Sequence, residues 1–196
     1  MRFFGGDKKL GTMKLRAEAL LTELEELTRK HLHEAERLAG LPEATLNAKP
    51  DAGGWSALEC LEHLNRYGNF YLPEIAKRLD TAKAAPDSVY RSGWLGHYFA
   101  ESMKPKPKLN RMKTFKSMDP ANSTLDGSVI SRFIRQQQQL LVLLDRARRV
   151  HLGKVKTAIS ITPLIKLRLG DTLRVVIYHN ERHIQQAQRA VERVVN

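Results

Sequence analysis

Three histidines in this chain have the residue type and spacing to bind a metal ion. His179 and His183 lie four residues apart near the carboxyl terminus, and His63 lies far upstream. A helix turns about 100° per residue, so side chains at i and i+4 face the same way and two imidazoles can share one ion. A third ligand must come from elsewhere in the chain, and His63 is the candidate.

The residues before His63 predict a helix that turns this histidine toward the core. Ser56 and Glu59 form the capping-box pattern that begins a helix, so His63 would lie about two turns inside it. Its neighbours at helical spacing are mostly apolar: Cys60, Tyr67 and Phe70. We therefore expect His63 to belong to a buried stripe.

The last segment of the chain predicts a second helix that buries both of its histidines. Apolar residues recur around them at the i, i+3, i+4, i+7 spacing: Val176, Ala187, Ala190 and Val194. Buried imidazoles without partners would each leave a nitrogen unsatisfied, at roughly 1–3 kcal/mol, and a shared metal removes that cost. Three histidines also leave a coordination position open to water or substrate, as in catalytic sites. The alternative is that His179 and His183 are ordinary helix residues, hydrogen-bonded to the backbone or to Glu and Tyr side chains.

The hydrophobic pattern predicts four long helices that would position these histidines. They comprise residues 15–38, a helix after Ser56, residues 129–147 and a helix after Asp171, which we expect to be its N-cap. A short helical piece is expected at residues 94–99. The bundle would bring the three imidazoles into one core.

The segments between these helices give further expectations. Residues 104–127 are the longest weakly patterned stretch and predict a crossover connection. Residues 154–163 alternate like a strand but have no partner strand nearby, so we interpret them as an extended linker. The four glutamines at residues 136–139 are expected to face solvent or an interface. Tyr178 and Arg182 flank the histidines and are expected on other faces of the last helix.

The composition predicts a single domain located in the cytoplasm. The 196 residues, 42% hydrophobic and 28% charged, suffice for one core. No stretch approaches the roughly 20 apolar residues that cross a bilayer, and no apolar run of signal-peptide length begins the sequence. We expect residues 1–12 to be a flexible extension and residues 13–196 to form the domain. The single cysteine, Cys60, excludes an intrachain disulfide and is expected in the core.

A net charge of +12, from 33 basic and 21 acidic residues, favours anionic partners. The basic residues are nevertheless scattered through every segment, and their densest cluster, residues 104–116, is typical of a connection rather than a recognition helix. No zinc-finger spacing, glycine-rich phosphate loop or ribonucleoprotein motif accompanies the cluster. We therefore do not expect nucleic acid as a partner. The positive field would instead attract an anionic small substrate.

The order of these motifs resembles the DinB/YfiT-like family of metalloenzymes. The resemblance covers most of the chain, from about Met13 to the end, and includes the stretch Gly93-Trp-Leu-Gly-His-Tyr-Phe. Two motifs carry the resemblance. The first comprises Trp55, Ser56, Glu59 and His63, and the second, near the carboxyl terminus, comprises His179, His183 and Gln186.

The resemblance implies an all-α fold, namely a four-helix bundle with up-down-down-up connectivity, a long crossover and commonly a homodimeric assembly. It also implies that His63, His179 and His183 bind a divalent metal such as nickel or zinc. Characterised branches of the family are transferases and isomerases that use a low-molecular-weight thiol, whereas many relatives are labelled hydrolases without an assigned reaction.

A three-histidine metal site would support one of two reactions on a small-molecule substrate. It can activate water for hydrolysis or a thiol for transfer. Side chains beside the ligands are candidates for assisting catalysis: Tyr67, Gln186 and Glu59. Glu59 also has a structural use as the capping partner. Of the remaining histidines, His97 is the further candidate. The hypothesis from another class is a noncatalytic bundle that binds a ligand or dimerises and keeps a degenerate metal site.

Overall fold

The computed structural model describes residues 13–50, 54–105, 114–121 and 123–195. The predicted flexible extension, residues 1–12, lies outside the described residues, as does part of the basic cluster. Long helices dominate the described chain, and two pairs of short strands accompany them. The elements are β1 (Lys14–Arg16), α1 (Ala17–Ala39), α2 (Glu43–Asn47), α3 (Ala57–Asp80), β2 (Val89–Arg91), α4 (Trp94–Met103), α5 (Ser128–Ala147), β3 (Lys156–Ile159), β4 (Thr162–Arg168) and α6 (Leu169–Val195).

The four long helices form the core that the hydrophobic pattern predicts. Both α1 and α3 pack against α5 and α6, so each long helix has two long neighbours. Their apolar stripes meet in two clusters, one at each end of the packed helices. Along α6, His179 and His183 lie between Tyr178, which belongs to one cluster, and Ile184, which belongs to the other. The histidines therefore occupy the middle of the bundle.

The start of α3 confirms the capping box. The Ser56 hydroxyl accepts a hydrogen bond from the Glu59 amide at 3.1 Å, and the Glu59 carboxylate accepts one from the Ser56 amide at 2.9 Å. Both donors would otherwise be unpaired at the helix terminus. Pro73 lies inside α3, which continues through it to Asp80. The capping box thus fixes the position at which His63 enters the core.

The prediction of an extended linker after α5 is wrong, whereas the predicted helical fold is confirmed in its main features, because the described chain is mostly helical and its sheets are small. Residues 154–163 contribute β3 and the start of β4, which pair antiparallel in a hairpin. Its partner strand follows after Ser160 and Ile161, a connection short enough for a hairpin. The hairpin packs on α3, where the Glu74 carboxylate accepts a hydrogen bond from the Ala158 amide at 2.8 Å. A second two-stranded antiparallel sheet joins β1 to β2.

The predicted N-cap of the last helix is also wrong, because α6 begins at Leu169 rather than after Asp171. The first amides of the helix are satisfied by backbone carbonyls of the preceding chain: Leu169 N donates to Val155 O at 3.0 Å and Gly170 N to Leu152 O at 3.2 Å. A side-chain cap is then unnecessary. Asp171 is fully buried and instead accepts hydrogen bonds from the Ser92 hydroxyl and the Gly93 amide.

The connection from α4 to α5 is long, as predicted, and its described part includes a single 3-10 turn at Lys116–Met118. This turn packs against α3. Among the described helices, none combines the length and apolar character required to cross a membrane.

Candidate metal centre

The candidate centre is built by the pairing of α3 with α6. His63 lies on the buried face of α3, and the i, i+4 pair His179 and His183 lies on the facing side of α6. One ring nitrogen from each histidine lies within 4.8 Å of the other two. The Nε2 atoms of His63 and His179 are 3.2 Å apart. The structure thus brings together the three histidines that the sequence selected.

Hydrogen bonds behind the rings orient two of these imidazoles. His63 Nδ1 donates to the backbone carbonyl of Met118 at 2.7 Å, because a carbonyl oxygen can only accept. His183 Nδ1 donates to Gln186 Oε1 at 3.0 Å. Each bond places the proton on Nδ1 and leaves a lone pair on Nε2. Two of the three nitrogens at the centre are therefore available as ligands.

The electrostatics of the centre favour neutral imidazoles. Burial lowers the pKa of His63 to about 4. Burial, with smaller contributions from His63 and Arg182, lowers the pKa of His183 to about 3. The pKa of His179 is lowered well below its ordinary value by burial and by the other two histidines. At neutral pH all three rings are uncharged, which is the state that binds a metal.

The donor set and its spacing fit a divalent transition metal. Imidazole nitrogen suits zinc and nickel. A tetrahedral zinc ion, with Zn–N distances of about 2.0–2.1 Å, holds its nitrogens about 3.3–3.4 Å apart. The 3.2 Å between the Nε2 atoms of His63 and His179 is close to this value. In the metal-free chain the same contact is a hydrogen bond when His179 carries its proton on Nε2 and donates it to His63 Nε2. A bound cation would turn that contact into coordination.

Aromatic rings enclose the histidines. The Trp55 ring stacks on the His183 ring with centroids 5.7 Å apart, and it lies 4.7 Å from the His63 ring. The Tyr67 ring meets the edges of His63 and His179 at 5.0 and 4.8 Å. These contacts restrict ring rotation and exclude water from one side of the centre.

A cavity of about 150 Å³ adjoins the three histidines. Its walls come mainly from α3, α5 and α6, with further residues from the β3–β4 hairpin, α4 and the chain before the 3-10 turn. Most of the lining is apolar, from residues such as Leu64, Leu140, Val176, Phe99 and Ile159. A small molecule in this space would lie beside the three Nε2 atoms.

The three predicted assisting residues have different surroundings. Tyr67 lines the cavity, and burial raises the pKa of its hydroxyl, which therefore stays protonated. Gln186 lies behind His183 and holds its Nδ1. Glu59 is buried in the capping box, forms an ion pair with Lys49 at 3.0 Å and does not line the cavity. Tyr67 is suited to contact a substrate, Gln186 to position a ligand and Glu59 to begin the helix.

Four polar side chains in the cavity wall were missed or misplaced by the sequence analysis. Gln136 and Gln137 are buried and line the cavity, so of the two predicted alternatives, solvent or an interface, solvent is wrong for these two. Arg182 also lines it, contrary to the expectation of another face, and Asn180 joins them. A signal for the glutamines was present, because Phe133, Gln136, Gln137 and Leu140 follow the i, i+3, i+4, i+7 stripe of α5.

The other candidates from the sequence lie outside this centre. His97 lies 3.4 Å from the guanidinium of Arg174, measured from its Nδ1. His31 is buried and pairs with the Glu181 carboxylate at 2.7 Å. Cys60 is fully buried in the core, as expected, and burial raises its pKa, so it remains a thiol.

Comparison with known proteins supports the resemblance. No curated protein and no solved structure matches the chain. The sequence profile of the DinB superfamily matches residues 26–187, a range that contains all three histidines. Because this match covers most of the sequence, the chain belongs to the DinB superfamily.

Proposed function

We propose that this protein is a metal-dependent enzyme that acts on a small molecule, with His63, His179 and His183 binding one divalent ion. The observation that carries the proposal is the convergence of three neutral imidazoles beside a closed-in cavity, two of them with Nδ1 hydrogen-bonded away from the centre. His63 and His183 both present an Nε2 lone pair at the centre, and a single N–H of His179 can satisfy only one of them, whereas a metal ion would bind both.

Different residues would bind the metal, orient its ligands and contact the substrate in such an enzyme. A divalent ion bound by the three histidines would supply Lewis acidity toward a water molecule or a thiol. Met118 and Gln186 hold the rings in the orientation that presents Nε2. Tyr67, protonated because burial raises its pKa, can donate a hydrogen bond to a substrate oxygen. Trp55 and the apolar walls exclude bulk water.

Hydrolysis and thiol transfer both remain within this proposal. We propose nickel or zinc as the ion and, for the transfer reaction, a low-molecular-weight thiol as second substrate, as in characterised branches of the family. A homodimer is proposed on the same basis, and a cytoplasmic location is proposed from the composition of the sequence. Sedimentation of the purified chain tests the dimer directly.

We further propose the up-down-down-up order for the four long helices, beginning with the pair α1 and α6. The Glu23 carboxylate accepts a hydrogen bond from the Tyr178 hydroxyl at 2.9 Å. Further along both helices, His31 contacts Glu181 at 2.7 Å. Because the contacts advance together along the two sequences, they support a parallel α1 and α6.

Contacts of α3 support the rest of this order. Asn65 donates to the Val129 carbonyl near the starts of α3 and α5, and Asp80 pairs with Arg146 near their ends, as parallel helices require. The contacts between α3 and α6 instead advance in opposite directions along the two sequences, as in antiparallel helices. The ring of Tyr67, one turn after His63, contacts His179, which precedes His183. The two middle helices then run opposite to the first and last.

The alternative is a noncatalytic bundle whose cavity binds a ligand and whose histidines no longer bind metal. The mostly apolar cavity favours binding of a small ligand under both hypotheses, the metal-dependent enzyme and the noncatalytic bundle. Only tight metal binding separates the two hypotheses.

The test is the metal content of chain purified without chelator or histidine tag, measured for the native chain, His179→Ala and His33→Ala. His33 is exposed on α1 and serves as the matched control. We expect near-stoichiometric nickel or zinc in the native chain and in His33→Ala, and none in His179→Ala. A native chain that stays empty after incubation with nickel, zinc, cobalt and manganese would favour the noncatalytic bundle.

A second measurement separates hydrolysis from thiol transfer. The cobalt-loaded chain is titrated with 2-mercaptoethanol, because a thiolate ligand adds an intense near-ultraviolet absorption that water does not. Appearance of this band supports thiol transfer. Its absence at saturating thiol supports hydrolysis.

A further inference from the structure

The β3–β4 hairpin exposes large aliphatic side chains. Leu164 is 90% exposed, Ile161 is 55% exposed, and Ile165 is exposed beside them. Residues 163–165 lie in an irregularity of the strand pairing, between two regular pairs, so this part of the hairpin departs from the flat ladder. Exposed apolar side chains that cluster in this way, unlike scattered ones, mark a surface that contacts another molecule or a membrane.

Aromatic side chains extend this surface around the opening of the cavity. Trp94 and Tyr98 lie one turn apart on α4 and are 64% and 60% exposed. The Tyr98 ring lies 5.9 Å from the ring of Phe99, which lines the cavity. Phe115 and Ile161 are exposed and also line the cavity, so they lie at its opening. The exposed apolar residues around this opening form what we call the mouth surface: Trp94, Tyr98, Phe115, Ile161, Leu164 and Ile165.

The hairpin that carries half of the mouth surface is strongly basic. Residues 154–168 contain four basic residues and no acidic residue. Lys156 lies directly opposite Arg168 in the strand register, and Lys166 lies two residues before Arg168, on the same face of β4. Like charges directly opposite each other destabilise a strand pair. Burial and the positive charge of Arg168 lower the pKa of Lys156. An anionic partner would relieve this repulsion.

Acidic side chains of the neighbouring helices do not neutralise these three cations. Glu74 on α3 accepts a hydrogen bond from the hairpin backbone, but it pairs with an arginine of its own helix at 2.8 Å. Asp171 is buried and lies 3.5 Å from an arginine of α6. Within the described parts of the chain, the three hairpin cations form no ion pair with a carboxylate. Their charge is therefore available to a partner.

An anionic lipid bilayer matches this combination of apolar and basic groups. Interfacial membrane sites bury apolar side chains at the boundary of the acyl chains, while basic side chains meet anionic headgroups. Tryptophan and tyrosine are the aromatic residues enriched at that depth. The mouth surface and the hairpin cations supply both parts.

Nucleic acid and a second copy of the chain match the same surface less well. Nucleic acid would contact the cations, but Ile161 and Leu164 offer no ring on which a base could stack. A second copy related by a two-fold axis would bring the same surface of both subunits together. The hairpin cations of one copy would then face those of the other.

We propose that the mouth surface docks this protein on an anionic lipid bilayer, with the hairpin tip at the acyl boundary and Lys156, Lys166 and Arg168 on the headgroups. The contact is peripheral and needs no membrane-spanning helix. It also turns the opening of the cavity toward the lipid, so an apolar small molecule could enter the cavity from the bilayer. The proposal goes beyond the proposed function and requires no bound metal.

The test is sedimentation of the full chain with two kinds of vesicle, phosphatidylcholine alone and phosphatidylcholine mixed with phosphatidylglycerol in equal parts. We expect binding to the anionic vesicles to be at least tenfold tighter, and to weaken as salt rises, because several basic residues contact the headgroups. Equal binding to both kinds of vesicle, or binding to neither, overturns the proposal without any substitution.

Tryptophan fluorescence reports which face meets the lipid. Trp94 is exposed, whereas the Trp55 ring packs on the rings of His63 and His183. On binding to anionic vesicles the emission should shift to shorter wavelength and be quenched by brominated acyl chains. Trp94→Phe should abolish both changes. Changes that survive Trp94→Phe would mean that another face docks, and they overturn the proposal.

Variants separate the apolar contribution from the charge. Leu164→Ser should weaken binding to anionic vesicles at least fivefold, whereas Val142→Ser, at a 59% exposed position of α5, should keep the native affinity. Lys166→Gln should weaken binding about fivefold, and Lys30→Gln, exposed on α1, should have no such effect. Equal affinities for Leu164→Ser and Val142→Ser overturn the proposal.

Two further outcomes would assign the surface to another partner. Tighter binding to double-stranded DNA than to anionic vesicles, unchanged by Leu164→Ser, would indicate nucleic acid and overturn the proposal. A dimer that Leu164→Ser dissociates, in a chain that does not bind vesicles, would indicate a second copy and also overturn it. Metal content is measured separately, so vesicle binding by a chain that binds no metal would retain the membrane site and lose the enzyme.

Discussion

Each imidazole has two nitrogens, and the candidate centre depends on what both of them contact. His63 and His183 direct Nε2 toward the centre because Nδ1 is held by Met118 and Gln186. Without these bonds the rings could rotate or change tautomer, and the lone pairs would no longer converge. Residues behind the ligands should therefore affect metal affinity, although less than the ligands themselves do.

Replacing Gln186 by leucine is the most direct test of this dependence. The Gln186→Leu chain keeps all three histidines but loses the acceptor for His183 Nδ1. Loss of such a partner typically weakens metal binding by about 10–100-fold, and we expect that range here. Competition with a chromophoric chelator measures the nickel or zinc Kd.

The control for Gln186 is Gln188→Leu. Gln188 lies two residues further along α6 and is not among the residues that line the cavity. Its Kd should equal that of the native chain. Equal Kd values for Gln186→Leu and the native chain would show that Gln186 does not support the centre.

At the residue scale, sequence spacing predicts the three metal ligands better than it predicts the groups that hydrogen-bond to them. The i, i+4 pair and the capping box identify the three histidines because helix geometry alone fixes their direction. The acceptor for His63 is the backbone carbonyl of Met118, which every residue type has, so no sequence pattern could indicate it. The sequence predicts that Gln137 faces solvent or an interface, although its position in the α5 stripe indicates the burial that the structure shows.

At the scale of elements, α4 and the hairpin close the cavity and are attached to the bundle by specific contacts. The buried Asp171 carboxylate, at the start of α6, holds the amide of Gly93 at 2.9 Å just before α4. Arg174 donates to Glu101 on α4 at 2.8 Å. Phe99 and Met103 of the same helix line the cavity. The position of α4 thus links the stability of this corner to the shape of the cavity.

The closest contact between α4 and Asp171 is at Gly96. A Cβ at Gly96 would lie 2.3–2.5 Å from the side chain of Asp171, which is fixed by its hydrogen bonds to Ser92 and Gly93. Alanine would favour the helix by up to about 1 kcal/mol, but overpacking of this kind costs about 1–3 kcal/mol. We expect Gly96→Ala to lower the free energy of unfolding, measured by urea titration.

Gly40→Ala provides the comparison for Gly96. At Gly40 the added Cβ would meet its nearest atom, the Arg37 carbonyl oxygen, at 3.5 Å, an ordinary contact. This variant should unfold within about 0.5 kcal/mol of the native chain. If Gly96→Ala were equally harmless, α4 would be free to shift and the attachment through Asp171 would be unimportant.

The elements also show where a pattern is insufficient to predict a structure. The four long helices follow from 3.6-residue periodicity sustained over 20 residues or more. The β3–β4 hairpin cannot be predicted in this way. Its four-residue strand β3 is stabilised by pairing with β4 and by packing on α3, and the residues of β3 alone indicate neither contact. Asp171 is a residue type that often caps helices, but here its carboxylate accepts hydrogen bonds from Ser92 and Gly93, so tertiary contacts determine what it binds.

At the scale of the whole molecule, metal binding should be visible as stability. An ion that binds only the folded chain stabilises it by RT ln(1 + [L]/Kd), about 2.7 kcal/mol at a hundredfold excess over Kd. For a chain of this size each kcal/mol raises Tm by about 2–4 °C, so nickel or zinc should raise it by about 5–11 °C. Differential scanning calorimetry measures the shift, which His179→Ala should abolish.

The metal-free molecule should lose stability on mild acidification, and the sign follows from the lowered histidine pKa values. The ordinary pKa is 6.5, whereas burial lowers that of His63 to about 4 and that of His183 to about 3. Above pH 6.5 both folded and unfolded chains carry neutral rings, and the full stability is present. Between pH 6.5 and about 4 only the unfolded chain takes up protons, so stability falls as pH falls, by up to about 1.4 kcal/mol per pH unit for each histidine.

Urea unfolding of chelated chain at pH 7, 6 and 5 measures this slope while most carboxylates remain ionised. Replacing His183 by glutamine removes one titrating group, so His183→Gln should show a shallower loss of stability between pH 7 and 5 than the native chain. His33→Gln, at an exposed position, should keep the native slope. Identical slopes for all three chains would mean that His183 is as accessible to protons when folded as when unfolded, which is incompatible with a buried neutral ligand. A shallower slope for His183→Gln alone would link the acid sensitivity of the whole fold to the same imidazole that binds the metal.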